Sequence, residues 1–301
     1  MRLDLNSFID PGLLRHVEEA RSANAARGTR RGPSGPDELR DLRAAIRPSG
    51  KSVPIEFGDR RAHVRIFRPQ GPPHGVYLHF PGGGFYLGAT PQDDERDQRL
   101  ADALGIVVVA VDYRLAPEHP WPAAPDDAET AARWLIEHSH EQFGTTNLAL
   151  GGFSAGATLA MTTLLRLRDH PFTGAVLQFG TYDLSGLTPA GRLIADEYFI
   201  KAYAGGADRT VPDVSPVFGD LRGLPPLLVV VGALDVLLED NLALAARVVA
   251  SGGAVDLRIY PESQHGFTNR DTKIARQARD DVERWLTERL ESRRDQHEVA
   301  T

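Results

Sequence analysis

Asn147-Leu148-Ala149-Leu150-Gly151-Gly152-Phe153-Ser154-Ala155-Gly156 is the stretch on which the reading of this chain turns. Its first half is an apolar run of strand length. The residues after it, Ala157 to Arg166, read as a helix. Between the two stands Gly-x-Ser-x-Gly. A serine on so tight a strand-to-helix turn is strained, and its hydroxyl points out of the sheet. The flanking glycines are needed where neighbouring chain passes too close for a β-carbon. The turn also sets the serine at a helix N-terminus, where free N–H groups face developing negative charge. The pattern is short, so its meaning rests on the rest of the chain.

Upstream, Val53 to Phe57 and Ala62 to Arg68 read as two strands joined by a Gly-Asp turn, and Val76 to Phe80 as a third. Helix Asp93 to Leu104, strand Ile106 to Val111 and helix Pro125 to His138 lead to the strand before the serine. Downstream come strands Ala175 to Phe179 and Leu227 to Val231, helix Leu238 to Ala250, strand Val255 to Tyr260 and helix Thr272 to Leu290. That makes eight strands. Their apolar residues run continuously rather than alternating, which implies a mostly parallel sheet between helix layers. Residues 183–224, rich in Gly and Pro with Tyr198, Phe199 and Tyr203, interrupt this rhythm and read as a lid. Residues 1–50 carry Leu13, Leu14 and Val17, then Leu39, Leu42 and Ile46, at helical spacing around a Gly/Pro break. They read as one or two amphipathic helices, too short for a domain. The catalytic domain is expected over 51–292, with a polar tail over 293–301.

A serine hydroxyl needs a base within hydrogen-bond reach and a third group to orient that base. Of ten histidines, His265 lies in the loop directly after the final apolar strand. Catalytic groups of open parallel sheets gather at the carboxyl ends of strands. Asp235 has the same placement after Leu227 to Leu234. Glu239 is the nearby alternative, but it falls a turn into the following helix. The order Ser154, Asp235, His265 is the one expected for a nucleophile on a strand-turn-helix elbow. For the oxyanion, Pro81-Gly82-Gly83-Gly84-Phe85 follows the third strand. Consecutive glycines let backbone N–H groups converge, so Gly83, Gly84 and Ala155 are the expected donors. Phe85 and Phe153 are the expected pocket residues.

Composition narrows the classes. The 301 residues are 42% hydrophobic and 25% charged, as in an ordinary globule. A net charge of −7 argues against a nucleic-acid partner, and the basic excess between Arg21 and Arg68 lacks the interleaved aromatics of a base-stacking surface. The absence of cysteine excludes disulfides, thiolate metal sites and a cysteine nucleophile, and it fits a reducing compartment. Met1 to Asp10 has neither a long apolar run nor a cleavage site, so no secretory signal is expected. No window approaches about 18 uninterrupted apolar residues, so no membrane span is expected. No metal ligands stand at suitable spacing and no dinucleotide fingerprint is present. The expected location is cytoplasmic, with no cofactor, and a homodimer is left open.

From about residue 53 to 290 these motifs resemble the hormone-sensitive-lipase-like carboxylesterases of the α/β-hydrolase fold. The most specific piece is the run from Asp112 through Tyr113, Arg114, Leu115, Ala116, Pro117, Glu118 and His119 to Asp127, with Ser215-Pro216, Asp235 to Glu239 and His265-Gly266-Phe267 in support. The resemblance implies that Arg114, Glu118 and Asp126 are structural. It also implies that residues 1–50 and 183–224 together form a helical cap. Two positions depart from the family pattern. Pro81 stands where the family has histidine, with His79 two residues earlier, and Phe153 stands where it has aspartate. The implied activity is metal-free hydrolysis of carboxylic esters with small to medium acyl chains. The alternatives are an amidase, deacetylase or lactonase with the same triad, and a non-catalytic ligand-binding member of the fold.

Overall fold

Every residue of Val107–Val111 and Leu227–Gly232 is buried, as continuous apolar runs require of strands covered on both faces. The computed structural model describes residues 4–27, 32, 33, 35–46, 51–194 and 197–291. The tail expected over 293–301 lies outside the described residues, as do parts of the N-terminal Gly/Pro link. Helices α1 (Val17–Arg27) and α2 (Pro36–Ala45) follow two short 3-10 turns. Then come β1 (Val53–Phe57), β2 (Arg60–Phe67), β3 (Val76–Phe80), α3 (Pro91–Leu104), β4 (Val107–Val111), α4 (Ala123–Phe143), β5 (Leu148–Phe153), α5 (Ala155–Arg166) and β6 (Gly174–Gln178). The connection after β6 carries α6 (Pro189–Arg192) and α7 (Tyr198–Ala204). Strand β7 (Leu227–Gly232), α8 (Leu238–Ala250), β8 (Val255–Tyr260) and α9 (Lys273–Glu291) follow.

The strands form one eight-stranded sheet in the order β1-β2-β4-β3-β5-β6-β7-β8. Pairs β1–β2 and β2–β4 are antiparallel and the remaining pairs parallel. The fold is thus the expected mostly parallel α/β-hydrolase sheet. Successive strand residues point to opposite faces, and each face has its own apolar layer. Leu78, Leu150, Leu177 and Val229 pack with Leu135, Leu159 and Leu244 of α4, α5 and α8. Tyr77, Ala149, Val176 and Leu228 pack with Leu100, Ile274 and Trp285 of α3 and α9.

Some boundaries differ from expectation for local reasons. Helix α3 starts at Pro91 rather than Asp93. Thr90 caps it by accepting from the Asp93 N–H, while the Asp93 carboxylate accepts from Thr90 N at 2.7 Å. Helix α4 runs from Ala123 to Phe143, longer than the expected 125–138, and stops at Gly144 with φ 75°. Part of the basic excess of the first fifth is spent on ion pairs. Arg43 meets Glu118 at 2.7 Å, Arg60 meets Glu129 at 3.2 Å, and the buried Arg65 sits between Asp94 and Asp112.

Candidate active site

Four strand ends build the site: β3, β5, β7 and β8, all parallel and all ending on the same edge of the sheet. At the end of β5 the chain reverses into α5 within one residue. Ser154 takes φ 55° and ψ −125°, a conformation that L-residues rarely adopt. The surroundings dictate it. A β-carbon on Gly156 would lie 1.9 Å from the Phe80 carbonyl oxygen, and one on Gly152 would lie 2.4 Å from the same atom. Only glycine lets the elbow seat against the end of β3. Ser154 N donates to Gln178 O at 2.9 Å, which ties the turn to β6.

The loops after β7 and β8 are laced together. Leu234 N donates to Ser263 O at 2.9 Å and Ala233 N to Tyr260 O at 2.8 Å. Asp235 follows, its side chain fully buried. Its Oδ1 accepts from Leu237 N at 2.9 Å, and both of its oxygens lie 3.1 Å from His265 Nδ1. His265 Nε2 is 3.0 Å from Ser154 Oγ. The three side chains named from the sequence are therefore brought into one hydrogen-bonded row. Glu239 is exposed on α8, away from this row. The loop that carries His265 also leans on α1. Asn24 Nδ2 donates to Glu262 O at 2.8 Å, Arg21 pairs with Glu262 at 2.9 Å, and Arg270 reaches Asn24.

Gly83, Gly84 and Phe85 have φ values of 108°, 62° and 65° in succession, which curls the chain after β3 over the serine turn. Tyr86 N and Leu87 N close the curl on Gly83 O at 3.1 and 2.9 Å. Sequence reasoning missed what fixes this loop. The Tyr113 hydroxyl donates to Pro81 O at 2.8 Å and Gly82 O at 3.3 Å. Burial holds the Tyr113 phenol above its ordinary pKa range, so it stays a donor. From outside, Arg43 of α2 donates to Tyr86 O at 2.6 Å and to Ala116 O. The signal for Tyr113 was its place in the run from Asp112 to Asp127. Arg43 carried none, because its partners lie 43 to 75 residues away.

Arg114 and Asp126, with the implied structural role, are ion-paired away from the triad, to Asp127 and Arg166 respectively. The two aromatic residues expected to line a pocket are packed instead. Phe85 is fully buried and stacks on Tyr203 of α7 at 3.8 Å. Phe153 is 8% exposed and faces the α3/α9 side of the sheet. An open groove of about 820 Å³ adjoins His265, and its lining includes Thr90, Gln92, Asp93, Asn269 and Arg270. Most of the residues that line it carry polar side chains, while apolar atoms supply the larger part of its exposed wall. Among the described residues no cluster of three or more His, Asp or Glu could hold a metal ion. No helix among them is long and apolar enough to cross a membrane.

Comparison with known proteins agrees with the fold. A family model described as the alpha/beta hydrolase fold matches residues 76–269. The chain is 38% identical over 203 residues to an acetyl-hydrolase of Streptomyces hygroscopicus, a match covering 63% of this chain and 66% of that protein. It is 34% identical over 242 residues to the carboxylic ester hydrolase LipN of Mycobacterium tuberculosis, covering 72% of this chain and 63% of that one. The chain thus spans just under two thirds of the length of these two relatives. A crystal structure of an esterase from the bacterial hormone-sensitive lipase family superimposes with a TM-score of 0.71 at 26% identity, over 93% of this chain and 99% of that one. With the family model spanning more than half of the residues, the chain belongs to the alpha/beta hydrolase fold family, among its hormone-sensitive-lipase-like members.

Proposed function

We propose that the chain hydrolyses carboxylic esters of small to medium acyl chains through an acyl-enzyme on Ser154. The observation that carries this reading is the row from Asp235 through His265 to Ser154, with contacts of 3.1 and 3.0 Å. His265 Nε2 takes the hydroxyl proton as Ser154 Oγ attacks the ester carbonyl. The resulting oxyanion is held by the N–H groups of Gly83, Gly84 and Ala155. The alcohol leaves with the proton returned by His265. Water then attacks the acyl-enzyme by the same route and releases the acid. Asp235, bound at Nδ1, keeps the proton on that nitrogen and stabilises the imidazolium. The described parts of residues 1–50 and 183–224 form the cap. The groove beside His265 receives the alcohol portion of the substrate.

The polar side chains of Gln92, Asn269 and Arg270 on that groove favour a second reading, deacetylation of a polar metabolite, and one relative is named an acetyl-hydrolase. Initial rates on acetate esters of polar and aliphatic alcohols, and on the matching acetamides, separate the two. Reaction of the purified protein with a fluorophosphonate, followed by peptide mapping, tests the shared mechanism. Label at Ser154 is expected, and label elsewhere rejects the assignment. Cytoplasmic location and self-association are proposals to be checked by fractionation and light scattering.

A further inference from the structure

The residue just before the serine makes contacts that simple filling of a core does not require. The Phe153 ring lies flush against the glycine loop, since a β-carbon on Gly82 would fall 2.6 Å from its edge carbons. On the other side its centroid is 6.2 Å from that of Phe179. The Phe179 ring in turn meets the His265 ring edge-on, at 5.1 Å and 73°. Beneath Phe153 lies His79, at 5.6 Å, with its Nδ1 held by Asp97 at 2.9 Å. Over the face of Phe153, 4.3 Å from its centroid, sits the guanidinium of Arg96. Arg96 is locked there by Asp93 at 2.8 Å and by Asn269, in the base loop, at 2.8 Å.

We propose that Phe153, clamped by Arg96, is the positioning element that keeps the glycine loop and the His265 loop in register with Ser154. One ring touches the loop directly and reaches the base through one further ring. The cation holds that ring by its face, where the π quadrupole attracts positive charge. The same cation holds the base loop through Asn269. An aliphatic side chain at 153 fills similar volume but offers Arg96 no face and transmits less to Phe179. The inference rests on the proposed ester hydrolysis for its kinetic consequence. Its structural content, the coupling of three loops, stands apart from turnover.

The test uses Arg96→Met, Arg96→Lys and Phe153→Leu in the full chain, assayed with p-nitrophenyl butyrate and by amide hydrogen exchange. Arg96→Met should lower kcat about tenfold with KM changed less than about twofold, because loosened geometry is felt in the transition state rather than in binding. Arg96→Lys, which keeps the cation over the ring, should recover most of that loss. Combining Arg96→Met with Phe153→Leu should cost no more than either alone. Exchange at the Tyr86 and Leu87 amides should quicken in Arg96→Met while α8 stays as protected as before. Unchanged kcat in Arg96→Met, multiplying losses in the double variant, or unchanged exchange overturns the proposal. Arg96 lies at the surface side of the cluster, so its variants serve if Phe153→Leu does not fold. Should the parent protein neither cleave the ester nor accept a phosphonate, the ester reading fails, and the exchange measurement alone decides on positioning.

Discussion

Two segments that follow neighbouring parallel strands are held by opposite means. The serine turn after β5 is defined by collisions: Gly152 and Gly156 press on the Phe80 carbonyl, and no side chain larger than hydrogen fits. The long connection after β6 is defined by polar side chains. Asp183 accepts from the backbone and hydroxyl of both Ser185 and Thr188. The Ser215 hydroxyl accepts from Leu184 N and donates to Arg209 O. Asp213 receives Arg166 at 2.6 Å and Trp121 Nε1 at 2.8 Å. A turn built on excluded volume is specified locally, by glycines a few residues apart. A connection built on polar pairing depends on partners such as Trp121, 92 residues away in the chain.

The contrast can be attacked at both ends. Ser154→Ala keeps the elbow, because its hydroxyl bonds only to His265 among the contacts described here. Turnover should fall about 10⁴- to 10⁶-fold with the circular dichroism spectrum unchanged. Residual activity within tenfold of the parent would remove Ser154 from the mechanism. Gly156→Ala tests the collision itself. A methyl 1.9 Å from a backbone oxygen has no soft neighbour to displace, so a loss above about 4 kcal/mol is expected in urea unfolding. Near-parental stability would mean that the elbow yields more readily than this geometry allows. Asp213→Ala tests the other segment. It strips one carboxylate from half-buried Arg166 and the acceptor from Trp121, for about 2 kcal/mol. Limited proteolysis should then cut within 197–224 first while the serine turn stays protected. Cutting elsewhere first would separate Asp213 from the hold on that segment.

The smallest effect is a pH dependence. Burial pushes the Asp240 carboxyl up to about 6, with the backbone N–H groups of Tyr182 and Asp183 opposing and the Asp183 carboxylate assisting. The ordinary value is 3.8. Between about pH 4 and 6 the native chain therefore holds more protons than the unfolded chain. This contribution to stability is full at and below the lower value and is lost as pH rises through the upper one. Asp240→Asn does not titrate, so its stability relative to the parent should rise from pH 4 to 6 by about 1–2 kcal/mol and then level off. A flat difference across that range would contradict the burial argument.

The same contrast explains what the sequence made legible. Ser154, Asp235 and His265 each stand just past an apolar strand, so the sheet itself predicts that they share an edge. The three glycines after β3 announce an unusual backbone. Tyr113 could be suspected only as part of a bracing segment, since a hydroxyl's acceptors are invisible until the chain is folded. Arg43, Arg96 and the Phe85–Tyr203 stack had no local signature, for each joins elements far apart in the chain. Phe153 could be singled out by position, but its direction could not. Strand alternation turned it toward α3 and α9, where its face meets Arg96.

Strand β8 is the last strand described in the chain and one outer edge of the sheet, and His265 stands just beyond it. Its hydrogen-bond partner Ser154 lies 111 positions earlier, just past a central strand. During synthesis the serine turn and the glycine loop emerge well before His265 is made. Under the proposed mechanism, a growing polypeptide that has made its central strands but not β8 and the loop after it lacks the partner that His265 gives Ser154. Under that same mechanism, the order of emergence withholds acyl chemistry until β8 and the loop after it have been made.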